Sequence, residues 1–383
     1  MSKQICFILD WYPTKTNNGC VFAKHLIYAI ADKGFDCVVI APRIKNANTE
    51  KVPYERVEKT ENDNEIRIFT PTYLHLSSRK QTIRLSMNNH YKAVMKTIKG
   101  ENLKPDVVYG HFIYQCGLTA ARVGSKLNIP SYCACGENST RFEKGNQPYT
   151  TGFEYANWKS ILETLTGIVS VSSNNKNLLI ENEYISDSMK IGVFPNGVDE
   201  RKFFTTDKAE ARKKLGFSND AFIIVFTGAF TQRKGINELN SALKNCTDVY
   251  SVFLGRGDCE PDCDKILFKG SVPNDMVSTY LNAADVFVLP TKGEGCCNAI
   301  VEALACGLPV ISSDLPFNDD VLYKNNSIRV DVNSVKEIEN AIKRLKNDKD
   351  YCKKLCEGAI ASAKNLSIET RAENILRFME LIK

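Results

Sequence analysis

The sequence predicts an α/β protein made of two doubly wound domains, each a parallel sheet with helices on both faces. Three observations carry this reading. Short apolar runs alternate with longer helical patterns along the chain, the βαβα order of a covered parallel sheet. The series stops at a turn-rich junction, Pro195-Asn-Gly-Val-Asp199, and then restarts. A chain of 383 residues is also too long for one ordinary hydrophobic core.

In the first series the expected strands are Ile5–Leu9, Cys37–Ile40, Val107–Tyr109, Ser131–Ala134, Gly167–Val171 and Lys190–Phe194. A helix from Val21 to Lys33 is expected to end at Gly34, the residue type suited to closing a helix. After the junction, Lys208–Leu215 reads as a polar helix. The second series of strands is Ala221–Thr227, Tyr250–Leu254, Lys265–Phe268, Val286–Leu289 and Pro309–Ser312. The pattern places domains at 1–195 and 196–367, facing each other across a cleft. The last helix, 368–383, carries Ile375, Leu376, Phe378, Met379 and Ile382 and is expected to pack back on the first domain. Ligands of open parallel sheets lie beyond the carboxyl ends of the strands, so functional residues should follow strands closely.

Bulk properties narrow the function. With 43% hydrophobic and 25% charged residues the composition is that of a soluble globular protein. The longest apolar runs, Ala221–Phe226 and Ala283–Pro290, fall far short of the roughly 20 residues of a membrane span. The apolar stretch near Met1 is too short for an export signal, which leads to an expected cytoplasmic location, with the inner face of the membrane as a station. Fourteen cysteines in such a chain read as reduced thiols. The close pairs Cys133–Cys135, Cys259–Cys263 and Cys352–Cys356 lack zinc-site spacing, so no metal is expected.

The net charge of +5 is uneven: residues 1–195 hold 24 basic and 18 acidic side chains, residues 196–383 hold 26 and 27. Between Pro71 and Gly100 stand Arg79, Lys80, Arg84, Lys92, Lys96 and Lys99 without a single carboxylate. No nucleic-acid motif accompanies them, and nucleic acid is not an expected partner. The strip 79–99 suits an anionic membrane or a phosphorylated acceptor, and equally a solvated helix face.

The segment Leu289-Pro-Thr-Lys-Gly-Glu-Gly-Cys-Cys-Asn-Ala-Ile-Val-Glu302 is the most informative. A buried strand ends at Leu289, a glycine-punctuated loop carries Glu294, and a helix opens near Cys297 or Asn298. First-turn amides there, through Ala299, have no partner inside the helix and sit at its positive end, which makes an anion site fit for phosphate. Glu302 lies four residues beyond Asn298 on the same helix face, too far in for phosphate and well placed to accept from ribose hydroxyls. Glu294 can reach a bound sugar.

In Phe226-Thr-Gly-Ala-Phe-Thr-Gln-Arg-Lys-Gly-Ile236 a second strand runs into a loop bearing Arg233 and Lys234. Paired cations opposite an anion-binding helix would neutralise a leaving diphosphate. In the first series, Asn17-Asn-Gly19 can bring backbone amides to donor phosphates. His111 follows a strand and is expected to point into the cleft; alone, it reads as structural or catalytic. A phosphate-loop motif is absent, and Gly255-Arg-Gly257 is not a dinucleotide fingerprint.

On these residues the sequence resembles the family 4 glycosyltransferases, retaining enzymes of the two-domain GT-B fold. Glu294 and Glu302 match the family's E-x7-E motif, and Glu302-Ala-Leu-Ala-Cys-Gly-Leu-Pro-Val-Ile311 resembles its continuation. Pro195-Asn-Gly-Val-Asp199 resembles its N-G-V-D junction, Lys234-Gly235 its K-G element, and Tyr109-Gly-His111 the segment that brings a His to the transferred sugar. The resemblance implies that Glu294 contacts the donor sugar, Glu302 holds the ribose and Lys234 binds the diphosphate. Cys297, Asn298 and Ala299 would assist, with Val272 beside the nucleobase. It implies no cofactor and no metal, a UDP- or GDP-sugar donor, and a hexose or N-acetylhexosamine moved to a glycan or lipid-linked acceptor in surface polysaccharide assembly. Three departures stand out. Gly228-Ala229-Phe230 replaces the usual G-R-[LF], so Arg233 would substitute for the missing arginine. Glu294-Gly-Cys-Cys297 replaces E-G-F-G, and Cys135-Gly136-Glu137 replaces a first-domain H-G. Rival readings are a nucleotide-sugar epimerase of the same fold, which would need no acceptor, and a non-catalytic nucleotide-sugar-binding partner. A glycoside hydrolase using Glu294 and Glu302 fails on geometry, because hydrolase carboxylates flank the bond from opposing sides.

Overall fold

The computed structural model describes residues 2–14, 19–45, 52–75, 80–142 and 158–383. The chain divides into two compact units, Met1–Phe194 with Arg371–Lys383, and Pro195–Thr370.

The first unit is built on β1 (Gln4–Leu9), β2 (Asp36–Ile40), β3 (Arg43–Ile44), β4 (Glu55–Lys59), β5 (Glu65–Phe69), β6 (Thr72–Tyr73), β7 (Val107–His111), β8 (Ser131–Cys135), β9 (Gly167–Ser170) and β10 (Ile191–Val193). Eight of them form one sheet in the order β10-β9-β8-β7-β1-β2-β5-β4, and β3 pairs with β6 separately. Every pair in the large sheet is parallel except β4–β5. Strands β1, β7 and β8 are mostly apolar and buried along their length except at Gln4, as strands covered on both faces must be. The helix Val21–Ala31 closes over Gly34, which takes φ +89° and donates its amide to the Ala31 carbonyl. The final helix, Ile368–Phe378, is shorter than its apolar pattern suggested, because Glu380 adopts φ +59° and turns the chain out of the helix. Its Phe378 ring packs 6.0 Å from Tyr132 and 5.5 Å from Phe194, inside this unit.

The second unit holds β11 (Ile223–Thr227), β12 (Tyr250–Leu254), β13 (Ile266–Gly270), β14 (Val286–Leu289), β15 (Val310–Ser313) and β16 (Ser327–Val330). They form one wholly parallel sheet in the order β13-β12-β11-β14-β15-β16. This is the order of a Rossmann sheet, in which the winding reverses between the first and fourth strands. The reversal falls between β11 and β14, so the two loops that leave those strands flank the crevice where such sheets bind ligands. Those loops carry Arg233, Lys234 and Glu294. In the first unit the corresponding reversal lies between β1 and β7, whose ends lead to Gly19 and His111.

Candidate functional site

In the second unit, four of the residues singled out above meet at the ends of β11 and β14. The turn Gln232–Lys234 places both cations, and the following Gly235 takes φ +69°. A Cβ on Gly235 would lie 2.0 Å from the Pro290 carbonyl oxygen, so only glycine lets the two loops approach this closely. The approach sets the charge geometry. Glu294 Oε1 lies 2.8 Å from Arg233 Nη1 and 2.7 Å from Lys234 Nζ, and Thr291 donates its hydroxyl to the same oxygen at 2.9 Å. Arg233 also donates to the Gly293 carbonyl at 2.6 Å, and the Lys292 amide donates to the Arg233 carbonyl at 2.7 Å. The Lys234–Glu294 pair is nearly shut off from solvent, at 12% and 13% side-chain exposure, while Arg233 remains 39% exposed. Burial alone would push the Glu294 carboxyl up, but Lys234 and Arg233 outweigh it and hold it below the ordinary range. Burial opposes the charge on Lys234 too, yet the neighbouring Cys297 and Glu294 raise its affinity for the proton. The Glu294 carboxylate and the Lys234 ammonium are therefore ionised together.

The helix Asn298–Ala305 starts with Cys297 as its cap, and no side chain caps it. The amides of Asn298 and Ala299 point out of the first turn, where a helix cannot satisfy them itself. Lys234 Nζ is 4.0 Å from Cys297 Sγ, which brings the cation to the positive end of this helix. Cys297 is buried, and Asn298 Oδ1 is buried without a hydrogen-bond partner. Glu302 sits one turn further along. Burial raises its carboxyl to about 7, and no charged neighbour opposes the shift. Val272 is partly exposed in the loop that follows β13.

Sequence reasoning missed Thr291, which fixes Glu294, and the tie between Cys296 and the interdomain junction. Asn196 donates its amide to Cys296 Sγ at 3.3 Å and its side-chain nitrogen to the Cys296 carbonyl at 2.9 Å. The position of Thr291, two residues past a buried strand, was the available signal for the first. Nothing local signals a contact spanning a hundred residues.

In the first unit, His111 is the last residue of β7 and is only 2% exposed, beneath the rings of Phe22 and Phe112 at 5.3 Å and 4.7 Å. Its Nε2 has no hydrogen-bond partner, and burial, helped by the Arg371 charge, lowers its pKa to about 3, so the ring is neutral. Gly19 stands in the turn that opens the helix Val21–Ala31; Asn17 and Asn18 lie outside the described residues. Glu137, in the segment Cys135-Gly136-Glu137, accepts the Ile113 amide at 2.7 Å and so serves the turn after β7.

Known proteins match both halves of the chain. Residues 21–202 match the family described as Glycosyltransferase Family 4, and residues 207–362 the family described as Glycosyl transferases group 1. A glycosyltransferase of Bacillus subtilis (strain 168) named for teichuronic acid biosynthesis is 27% identical over 82% of this chain and 81% of its own. An Escherichia coli UDP-Gal:alpha-D-GlcNAc-diphosphoundecaprenol alpha-1,3-galactosyltransferase is 33% identical, over 42% of this chain and 45% of its own. Among solved structures, a sucrose-phosphate synthase from Thermosynechococcus elongatus superposes with a TM-score of 0.78 at 18% identity, covering 99% of this chain and 98% of that one. The Anabaena protein HepE, solved with UDP and glucose, gives 0.72 at 14% identity over 99% and 100%. Two Rossmann-like sheets with these neighbours make the fold GT-B. The chain is a glycosyltransferase, and it belongs to the family 4 glycosyltransferases.

Proposed function

We propose that this enzyme transfers a hexose or N-acetylhexosamine from a UDP- or GDP-sugar to a glycan or lipid-linked acceptor, with retention at the anomeric carbon and without a metal in the transfer step. The observation that carries the reading is the buried Lys234–Glu294 pair beside the uncapped helix Asn298–Ala305. In an otherwise anion-attracting corner, Lys234, Arg233 and the amides of Asn298 and Ala299 offer fixed positive charge to a diphosphate. The diphosphate takes over part of the cationic field that Arg233 and Lys234 direct at Glu294. Glu294, released toward the sugar, accepts from its hydroxyls. Glu302 accepts from the ribose, Val272 flanks the base, and Cys297 shapes the sugar pocket.

As the bond from sugar to diphosphate breaks, negative charge grows on the leaving oxygen, and the preorganised cations and amides stabilise it without reorganising. That oxygen then takes the proton of the acceptor hydroxyl attacking from the same face, which yields retention. His111 presents a neutral imidazole to the sugar, and the Gly19 turn closes on the phosphates.

The residues 1–195 form the acceptor side of this reading. The helix Lys80–Gly100 presents exposed Lys92, Lys96 and Lys99, which with Lys126 line an open groove floored by Tyr91 and Met95. No ion pair engages these four lysines among the described residues, and the groove is a seat for an anionic membrane surface. Arg79 lies outside the described residues. No helix among the described residues is long and apolar enough to cross a membrane. Incubation with a panel of nucleotide sugars and with polyprenyl-diphosphate-linked glycans tests the reading; no turnover and no nucleotide binding would defeat it.

A further inference from the structure

We infer that the first unit carries a structural zinc site in which Asp10, His90 and Cys116 are ligands and Cys20 completes the set. Their positions come from four separate elements: the end of β1, the helix Lys80–Gly100, the turn Ile113–Gly117 and the start of the helix Val21–Ala31. The ligand atoms of Asp10, His90 and Cys116 all lie within 4.8 Å of one another. Cys116 donates its thiol to Asp10 Oδ1 at 3.0 Å, across 106 residues of sequence. The backbone is shaped for this meeting. A Cβ on Gly110 would lie 2.5 Å from the Cys116 carbonyl oxygen, so the glycine lets the turn settle onto β7.

His90 provides the independent observation. The residue is 1% exposed, its Nδ1 lies 2.9 Å from Thr119 Oγ1, and its Nε2 is buried with no hydrogen-bond partner. Leaving such a nitrogen unsatisfied costs roughly 1–3 kcal/mol. An imidazole held by a hydroxyl at one nitrogen and bare at the other is in the form that binds a metal. Asp10 has no cationic partner among the described residues. Cys20, at the start of the helix Val21–Ala31, is not one of the three groups within 4.8 Å, but it is near enough to Asp10 and Cys116 for their charges to act on its thiol.

A mixed nitrogen, sulfur and oxygen set favours zinc over magnesium or calcium, which take oxygen ligands. With ligand bonds of about 2.0–2.3 Å the three donor atoms, within 4.8 Å of one another, would close to roughly 3.4–3.8 Å apart, a contraction of up to about 1.4 Å, and Cys20 would move in from outside that group. Binding expels the Cys116 and Cys20 thiol protons to solvent as the two sulfur–zinc bonds form. The ion would pin the chain ends around Gly19 and His111 and takes no part in the transfer step, so the inference is independent of the donor and acceptor proposed above.

The test uses the full-length, tag-free protein. Metal-free wild type is titrated with Zn²⁺ in the presence of a weak chelator, and in parallel with Co²⁺. The expected result is about one tightly held zinc per chain, a rise in melting temperature, and a thiolate-to-cobalt charge-transfer band. Cys116→Ser and His90→Gln should abolish tight binding, and Cys20→Ser should weaken it and reduce the band by about half, one of two thiolates. If Cys116→Ser does not fold, the wild-type titration and His90→Gln decide. Folded wild type that retains no zinc overturns the inference. So does zinc that binds with an unchanged cobalt spectrum in His90→Gln and Cys116→Ser, which would place it on other cysteines.

Discussion

Replacing Lys234 with alanine removes the cation that lies 2.7 Å from Glu294 Oε1 in a setting where both side chains are under 15% exposed. A surface ion pair would contribute about 0–1 kcal/mol. This one is desolvated and faces the positive end of a helix, so its effect on a diphosphate leaving group belongs with removal of a preorganised oxyanion donor, about 10²–10³ in kcat or roughly 2.7–4 kcal/mol. Arg233 stays 2.8 Å from the same carboxylate oxygen but is 39% exposed, and solvent screening keeps it from replacing the lysine. It does limit the damage to the fold: Glu294 keeps Arg233 and Thr291, and the stability loss should stay near 1–3 kcal/mol, below the roughly 3–5 kcal/mol of a fully orphaned buried charge. Initial rates with the preferred donor, UDP or GDP affinity by calorimetry, and thermal unfolding measure the three effects. Folded Lys234→Ala with kcat/KM within about threefold of wild type, under ~0.7 kcal/mol, would refute the electrostatic reasoning.

Glu302 should make nucleotide binding pH-dependent. Burial raises its carboxyl to about 7, and ribose hydroxyls favour the ionised form, so affinity should increase from pH 6 to pH 8 with proton release on binding; in Glu302→Gln the dependence should be flat. The same shift has a stability sign. The unfolded carboxyl ionises near 4.5 and the folded one near 7, so the wild type loses stability as pH rises across that window, and Glu302→Gln should raise the melting temperature at pH 8 but not at pH 4. Gly235→Ala should lose activity and lower the melting temperature, because φ +69° costs about 1–2 kcal/mol and the new methyl would overlap the Pro290 carbonyl. His111→Ala should reduce kcat at least tenfold with nucleotide affinity unchanged, and the wild-type rate profile should show no imidazole step between pH 5 and 8, since that ring titrates near 3. Lys92→Glu with Lys96→Glu should abolish salt-sensitive sedimentation with anionic vesicles while leaving nucleotide binding intact.

What could be read from the sequence depended on how local each signal was. Val286–Leu289 and residues 223–226 are unbroken apolar runs closed by glycine-bearing loops, so the strands and the placement of Arg233, Lys234 and Glu294 beyond them were legible. The hairpin of β4 and β5 was not. Glu55–Lys59 is an edge strand with only Val57 apolar, and that residue is 51% exposed, so the segment shows no buried face. Glu65–Phe69 does alternate, but its charged positions disguise a strand that sits second from the edge. Contact between the two motif loops depends on Gly235 lying under Pro290, and the K-G pair says nothing of what the glycine touches. Asp10, His90 and Cys116 are farther still from legibility: none belongs to a motif, and the adjacency of β1 and β7 in the sheet together with the packing of the helix Lys80–Gly100 brings them together.

In the proposed reaction this chain uses its fixed cations and helix amides to expel a nucleoside diphosphate and delivers the sugar with its anomeric configuration kept. The most direct measurement is proton NMR of the product formed from the accepted UDP- or GDP-sugar, run in the presence of a chelator. Turnover should persist under a chelator too weak to strip the zinc, and the anomeric configuration of the product should equal that of the donor. An inverted product, or zinc-loaded protein that turns over only after Mg²⁺ or Mn²⁺ is added, would contradict retention without a metal in the transfer step.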